Sequence, residues 1–185
     1  TPKGIMVHST GANNPNLKRY VGPDDGLLGV NQYGNHWNQH MDRQVCVHAF
    51  IGKLKDGSIA TYQTLPWNMR GWHGGGSSNN THIGFEICED GLTDPAYFSA
   101  VYKEAVELCV YLCKLYGLTE KNIICHCEGY KLGMDGINPD VIARRLCEEG
   151  SPGVMGEPKW VCATIMGILQ NEKYKGDAIL QKTFV

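Results

Sequence analysis

Two histidines stand where apolar runs give way to loops: His8 after Gly4-Ile5-Met6-Val7, and His126 after Asn122-Ile123-Ile124-Cys125. Sheet enzymes present metal ligands from such positions, because a rigid strand fixes the backbone while the loop leaves room for a ligand. Either histidine taken alone reads first as a hydrogen-bonded core residue. Glu86 adds a third clue, since it lies inside the apolar run Ile83-Gly84-Phe85-Glu86-Ile87. A carboxyl group there is costly unless it is paired, protonated or catalytic. Two histidines and a buried acid are the parts of a hydrolytic zinc site, and a catalytic zinc takes about three protein ligands plus water, so one more ligand is required. Cys125-His126-Cys127 looks like a metal cluster. On a strand, however, alternation would send both cysteines to the face opposite His126.

The elements that must position these groups can be read around them. Gly4 to Thr10 reads as a buried strand, and after it comes an Asn/Gly/Pro-rich stretch from Gly11 to Gln44, a length of loop that usually carries function. Its His36, Trp37 and His40 suggest no particular chemistry. Val45 to Gly52 and Ser58 to Gln63 flank Lys55-Asp56-Gly57, a hairpin signal. His48 alternates with apolar residues and reads as a hydrogen-bonded core residue. A second loop, Pro66 to Thr81, holds Gly71-Trp72-His73-Gly74-Gly75-Gly76. Asp94-Pro95 supplies an N-cap and a first-turn proline. Phe98, Val101, Ala105, Leu108, Leu112 and Leu115 then recur at helical spacing until Gly117. Two further helices are expected, over Asp140 to Glu149 and Val161 to Gln170, separated by Ser151-Pro152-Gly153.

Bulk properties narrow the function. The 185 residues are 42% apolar, and 17 basic against 19 acidic residues leave a formal charge of −2. A nucleic-acid-coating or membrane-coating protein would be more basic. The apolar runs fall short of the roughly 18–20 residues that cross a bilayer, and no signal-peptide pattern opens the sequence. The eight cysteines sit largely in apolar runs, where the thiol behaves as a small hydrophobe, and we read them as reduced.

Five motifs then carry a family resemblance, in order: Ile5-Met6-Val7-His8-Ser9-Thr10; Val47-His48-Ala49-Phe50-Ile51 with Asp56-Gly57; Gly71-Trp72-His73-Gly74; Ile83-Gly84-Phe85-Glu86-Ile87; and Ile124-Cys125-His126-Cys127-Glu128-Gly129-Tyr130-Lys131. Together they resemble the type-2 N-acetylmuramoyl-L-alanine amidases, most nearly the endolysins of phages and prophages of clostridia, over residues 1 to about 133. The resemblance implies an α/β fold with a central mixed β-sheet flanked by helices, shared with peptidoglycan-recognition proteins. It implies Zn2+ as cofactor, held by His8 and His126, with Glu86 orienting or deprotonating the attacking water and Lys131 steadying the oxyanion. Trp72 and His73 would line the substrate groove, and peptidoglycan would be the partner of a monomeric chain. The enzyme would be made in the bacterial or phage-infected cytoplasm and act on the cell wall after release.

Beyond Gly133 the sequence changes character. Asn138-Pro139-Asp140 through Leu146, Trp160, and Ile165 to Gly176 resemble the middle domain of large serine recombinases. Residues 134–185 therefore read as a small helical appendage joined to an amidase domain, 1–133, that lacks its end. With six basic and seven acidic residues the appendage lacks the positive footprint of a DNA binder. Asp140 falls at a reachable offset after His126 and is the candidate third ligand, with Glu128 or Asp135 as substitutes; at the head of a helix it serves equally as an N-cap. The enzyme has two rivals, a cell-wall peptide-binding module without zinc and a DNA-binding fragment.

Overall fold

The computed structural model describes residues 1–40, 45–134, 147 and 150. The chain divides into two units, Thr1–Gly136 and Ile137–Val185. Apart from Cys147 and Gly150, the two C-terminal helices expected from the sequence and the recombinase-like stretch lie outside the described residues, as do Asp135 and Asp140.

Five strands form one sheet: β1 (Gly4–Ser9), β2 (Ala49–Lys53), β3 (Ile59–Gln63), β4 (His82–Ile87) and β5 (Ile123–Cys125). Their order is β3-β2-β4-β1-β5. The β2–β3 pair is antiparallel, while β2–β4, β4–β1 and β1–β5 are parallel. The sheet is thus mixed, as expected. The hairpin turn forms where Asp56-Gly57 stands: Asp56 Oδ1 accepts from the Ser58 amide at 2.9 Å, and Gly57 takes φ +87°, which a residue with a Cβ rarely adopts.

Alternation assigns the two faces of the sheet. Ile5, Ala49, Ile51, Ile83 and Phe85 point to one side and are fully buried under α2 (Pro95–Tyr116), the long helix that follows the single-turn α1 (Ser78–Thr81) in the chain. Asp94 caps that helix by accepting from the Ala96 and Tyr97 amides, and Gly117 closes it at φ 67° with its amide on the Cys113 carbonyl. The buried stripe is Tyr97, Val101, Ala105, Leu108, Cys109 and Leu112. Phe98 and Leu115, which share the helical spacing, are instead exposed at 53% and 51%, because the sheet is wide enough to cover only one stripe of the helix.

The opposite face carries His8, Glu86 and Phe50, and there the long first loop supplies the cover. Its Leu17, Tyr20, Val21 and Leu28 are buried with Val47, Phe50 and Cys88, and Tyr20 stacks on Phe50 with ring centroids 5.5 Å apart. A stretch that reads as punctuation thus contains a second small core. Asp24 and Asp25 hold its tip by accepting from four backbone amides.

One local expectation is corrected. His126 does not continue a strand: β5 ends at Cys125, and His126 opens α3 (His126–Lys131). The strand-alternation argument about Cys125 and Cys127 therefore does not apply. Glu128 favours the change, since its Oε2 accepts the Cys125 amide at 2.8 Å and so satisfies a donor ahead of the first turn. Among the described residues no helix is long and apolar enough to cross a membrane. Cys46, Cys88, Cys109 and Cys113 are free thiols.

Candidate active site

The site forms at the C-terminal ends of the parallel strands, where open α/β sheets place their ligands. In the β1–β4 register His8 lies beside Glu86, and in the β4–β2 register Glu86 lies beside Phe50. The side chains of one such row share a face. His126 comes directly after Cys125, the partner of Val7 on the other side of β1, so the start of α3 brings the second histidine to the first. The Nδ1 atoms of His8 and His126 are 3.2 Å apart, with ring centroids at 5.0 Å.

A third imidazole completes the group. His73 Nδ1 lies 3.0 Å from His8 Nε2, and its Nε2 lies 3.2 Å from the His82 carbonyl oxygen. His48, fully buried, meets the His73 ring edge to face with centroids 6.0 Å apart, but its own hydrogen bonds go to the backbone. Its Nδ1 accepts from the Gly84 amide at 3.0 Å and its Nε2 faces the Met69 carbonyl at 3.0 Å. It is the hydrogen-bonded core residue that its strand position suggests.

Burial sets the charge states. Loss of solvation, with His73 and His126 nearby, lowers the His8 pKa to about 2. His73 is lowered to about 4, again chiefly by burial. Both rings are therefore neutral at pH 7, the form in which an imidazole offers a lone pair. Glu86 moves the other way: burial, reinforced by the charge of Glu89, raises its carboxyl to about 8. Its Oε2 is buried without a hydrogen-bond partner among the described residues. An orphaned carboxyl oxygen in a cleft is a mark of a functional acid rather than a structural one.

Glu86 lines a cleft of about 320 Å³ with Arg19, Asn35, His36, Trp37 and Phe50 among its walls. The loop residues His36 and Trp37, whose sequence context suggests no chemistry, and Arg19 thus face the same space as the acid. Sequence pattern hides this wall, since the loop's contact with the sheet depends on its buried Leu17, Tyr20, Val21 and Leu28, which keep no regular period. Trp72 and His73 are not part of that wall. Trp72 is 41% exposed, with the Arg70 guanidinium 4.7 Å over its ring. Lys131 ends α3, and its side chain lies outside the described residues, as does Asp140. Glu128 is half of the α3 start described above.

A test for a metal can be made on the donor atoms. Two imidazole nitrogens 3.2 Å apart match the roughly 3.3 Å that separates two nitrogens bound 2.0–2.1 Å from one tetrahedral zinc. Glu86 is the neighbour of His8 in the β1–β4 register. Among the described residues no set of three metal-ligating side chains converges.

Comparison with known proteins decides the family. Residues 1–148 match the Amidase_2 family, N-acetylmuramoyl-L-alanine amidase. The chain belongs to this family. The matched span extends past Asp140. No curated protein sequence matches the chain. Among solved structures, the Staphylococcus aureus hydrolase AmiA, crystallised with its ligand, is 22% identical with a TM-score of 0.51, over 78% of this chain and 65% of that one. The chain therefore spans just under two thirds of that relative, and the two share the amidase fold. The catalytic domain of XlyA is 30% identical over 70% of this chain and 72% of that chain, at TM-score 0.47. PlyL is 22% identical over 68% and 67%, at TM-score 0.49.

The charge states of the site predict how the metal-free amidase domain responds to acid. His8 and His73 have depressed values, so the stability they contribute is present above about 6.5 and is lost as pH falls. Glu86, raised to about 8, contributes in the opposite sense: its contribution is full below 4.5 and is lost as pH rises toward 8. Between pH 6.5 and 4.5 two histidines oppose one carboxyl, so these groups together lower stability on acidification by about 1.4 kcal/mol per pH unit. Urea midpoints of the metal-free protein should fall across this range. A midpoint that is flat or rises would contradict the assigned charge states.

Proposed function

We propose that the chain is a zinc-dependent amidase that hydrolyses the bond between the lactyl group of N-acetylmuramic acid and L-alanine in peptidoglycan, acting on the cell wall after release from the producing cell. The observation that carries this reading is the convergence of the His8 and His126 Nδ1 atoms at 3.2 Å, with Glu86 beside His8 in the register of the sheet. His8 and His126 would hold the ion, with Asp140 as the proposed third ligand. Bound there, zinc would supply Lewis-acid chemistry, polarising the amide carbonyl and acidifying water. Glu86 takes a proton from the attacking water and returns it to the departing amine of L-alanine. A carboxyl poised near neutrality can do both, because neither the acid nor the base form is far from its working state. Lys131 donates to the oxygen that gains charge as the carbonyl is attacked. The cleft walled by Arg19, His36 and Trp37 receives substrate next to Glu86.

Asp140 is tested by replacement. Asp140→Ala should weaken zinc binding by more than the roughly 10–100-fold that loss of a supporting residue costs, as read by chelator competition. Unchanged affinity would remove Asp140 from the ligand set. The alternative of a peptidoglycan-binding module without turnover is favoured by one observation, that two ligands and not three converge among the described residues. Metal analysis of the purified chain separates the two: the amidase retains about one zinc per chain, and the binding module retains none.

A further inference from the structure

We propose that His73 is a positioning residue: through a chain running from the His82 carbonyl to His73 and on to His8, it fixes the tautomer of His8 that leaves Nδ1 bare for the metal. The proposal rests on the zinc reading of His8 and His126 and assigns His73 a role distinct from contact with substrate.

The argument starts at an atom whose hydrogen-bonding role is fixed. A backbone carbonyl oxygen can only accept. His73 Nε2 lies 3.2 Å from the His82 carbonyl oxygen, so this nitrogen carries the ring proton and donates. A neutral imidazole has one such proton, which leaves His73 Nδ1 as an acceptor. That Nδ1 lies 3.0 Å from His8 Nε2, so His8 Nε2 in turn carries its proton and donates. His8 Nδ1 is then the bare nitrogen, and it is the atom that faces His126 Nδ1 at 3.2 Å. The reverse assignment would set a lone pair of His73 against the lone pairs of the His82 carbonyl. Orienting partners of this kind, most often a carboxylate or a carbonyl, fix the ring and tautomer of metal-binding histidines. Here an imidazole relays the carbonyl.

The ring of His73 is also held in a built slot. A Cβ added to Gly84 would fall 2.6 Å from His73 Cγ, and one added to Gly71 would fall 2.7 Å from His73 Cδ2. Only glycine fits at either position beside the ring. Asn79, itself buried, holds the backbone of the loop: its Oδ1 accepts from the His73 amide at 2.7 Å and from the Gly74 amide at 2.8 Å. Gly84 is fixed in turn by its amide on His48 Nδ1. With both ring nitrogens engaged and the ring confined by two glycines, His73 is arranged to act on His8.

Three forms of the full 185-residue chain test this: wild type, His73→Phe and His73→Asn. Phenylalanine fills the slot but accepts nothing, whereas the asparagine Oδ1 can stand in for the imidazole Nδ1. In the zinc-free wild type, long-range ¹H–¹⁵N correlation should find the His8 proton on Nε2; finding it on Nδ1 would overturn the proposal without recourse to any variant. With zinc as the probe and a chromophoric chelator as competitor, His73→Phe should bind about 10–100-fold more weakly than wild type, and His73→Asn should recover most of that loss. Wild-type affinity in His73→Phe would overturn the proposal, and so would His73→Asn as weak as His73→Phe. A wild type that takes up no zinc but carries the proton on Nε2 would support the tautomer chain while overturning the zinc reading.

Discussion

Glu86→Gln should keep its zinc and lose turnover by roughly 10²–10⁴-fold, the range of a positioned acid or base. The amide keeps the volume of the carboxyl and its place beside His8 in the β1–β4 register, but it cannot take a proton from water. The same substitution has a signature in stability that a surface acid would not show. Burial holds the wild-type carboxyl at about 8, so between pH 5 and 8 unfolding releases its proton and the folded state is penalised as pH rises. Gln removes this penalty. The unfolding free energy of the metal-free variant relative to wild type should therefore grow with pH, by up to about 1.4 kcal/mol per pH unit. The amide also buries a donor group where the carboxyl oxygen has no partner, a constant cost of about 1–3 kcal/mol, so the trend with pH, not the absolute difference, is the readout. Wild-type turnover together with parallel pH curves would reduce Glu86 to a structural acid.

His8→Ala and His126→Ala should each abolish zinc retention, the largest effect expected at the metal. Each removes one of two imidazoles whose Nδ1 atoms meet at 3.2 Å. The fold should survive, because the sheet is held by neighbours that neither substitution touches. Ile5 and Met6 on β1 are fully buried, and β1 remains paired to β4 and β5. Metal analysis and far-UV circular dichroism on the purified variants check both halves. Full zinc occupancy in either variant, with the fold intact, would remove that histidine from the ligand set.

The histidines, the acid and the mixed sheet were legible because each shows in strand pattern: an apolar run that ends in His8, and one that encloses Glu86. What brings His8 and Glu86 side by side is a parallel register between strands far apart in the chain, and alternation within one strand says nothing about register between strands. His126 was placed at the right point in the chain but in the wrong element. A three-residue β5 is too short to impose alternation on the residues after it, and Glu128 favours the helix. His73 was visible as a loop histidine next to Trp72. Its partners, the His82 carbonyl and the backbone of Gly71 and Gly84, become adjacent only once β4 is paired and the glycine loop folds back on it. The cleft walls formed by Arg19, His36 and Trp37 were missed for a similar reason. The first loop owes its structure to four scattered apolar residues and a set of aspartate-held turns, neither of which has a period to detect.

The central claim is that this site cleaves an amide in peptidoglycan, and one measurement addresses it directly. Purified cell walls incubated with the zinc-loaded chain should release new α-amino groups belonging to L-alanine, with no new reducing sugar ends, and the release should vanish in His8→Ala. Absence of new amino termini from walls that the chain nonetheless binds, or the appearance of reducing ends in their place, would contradict it.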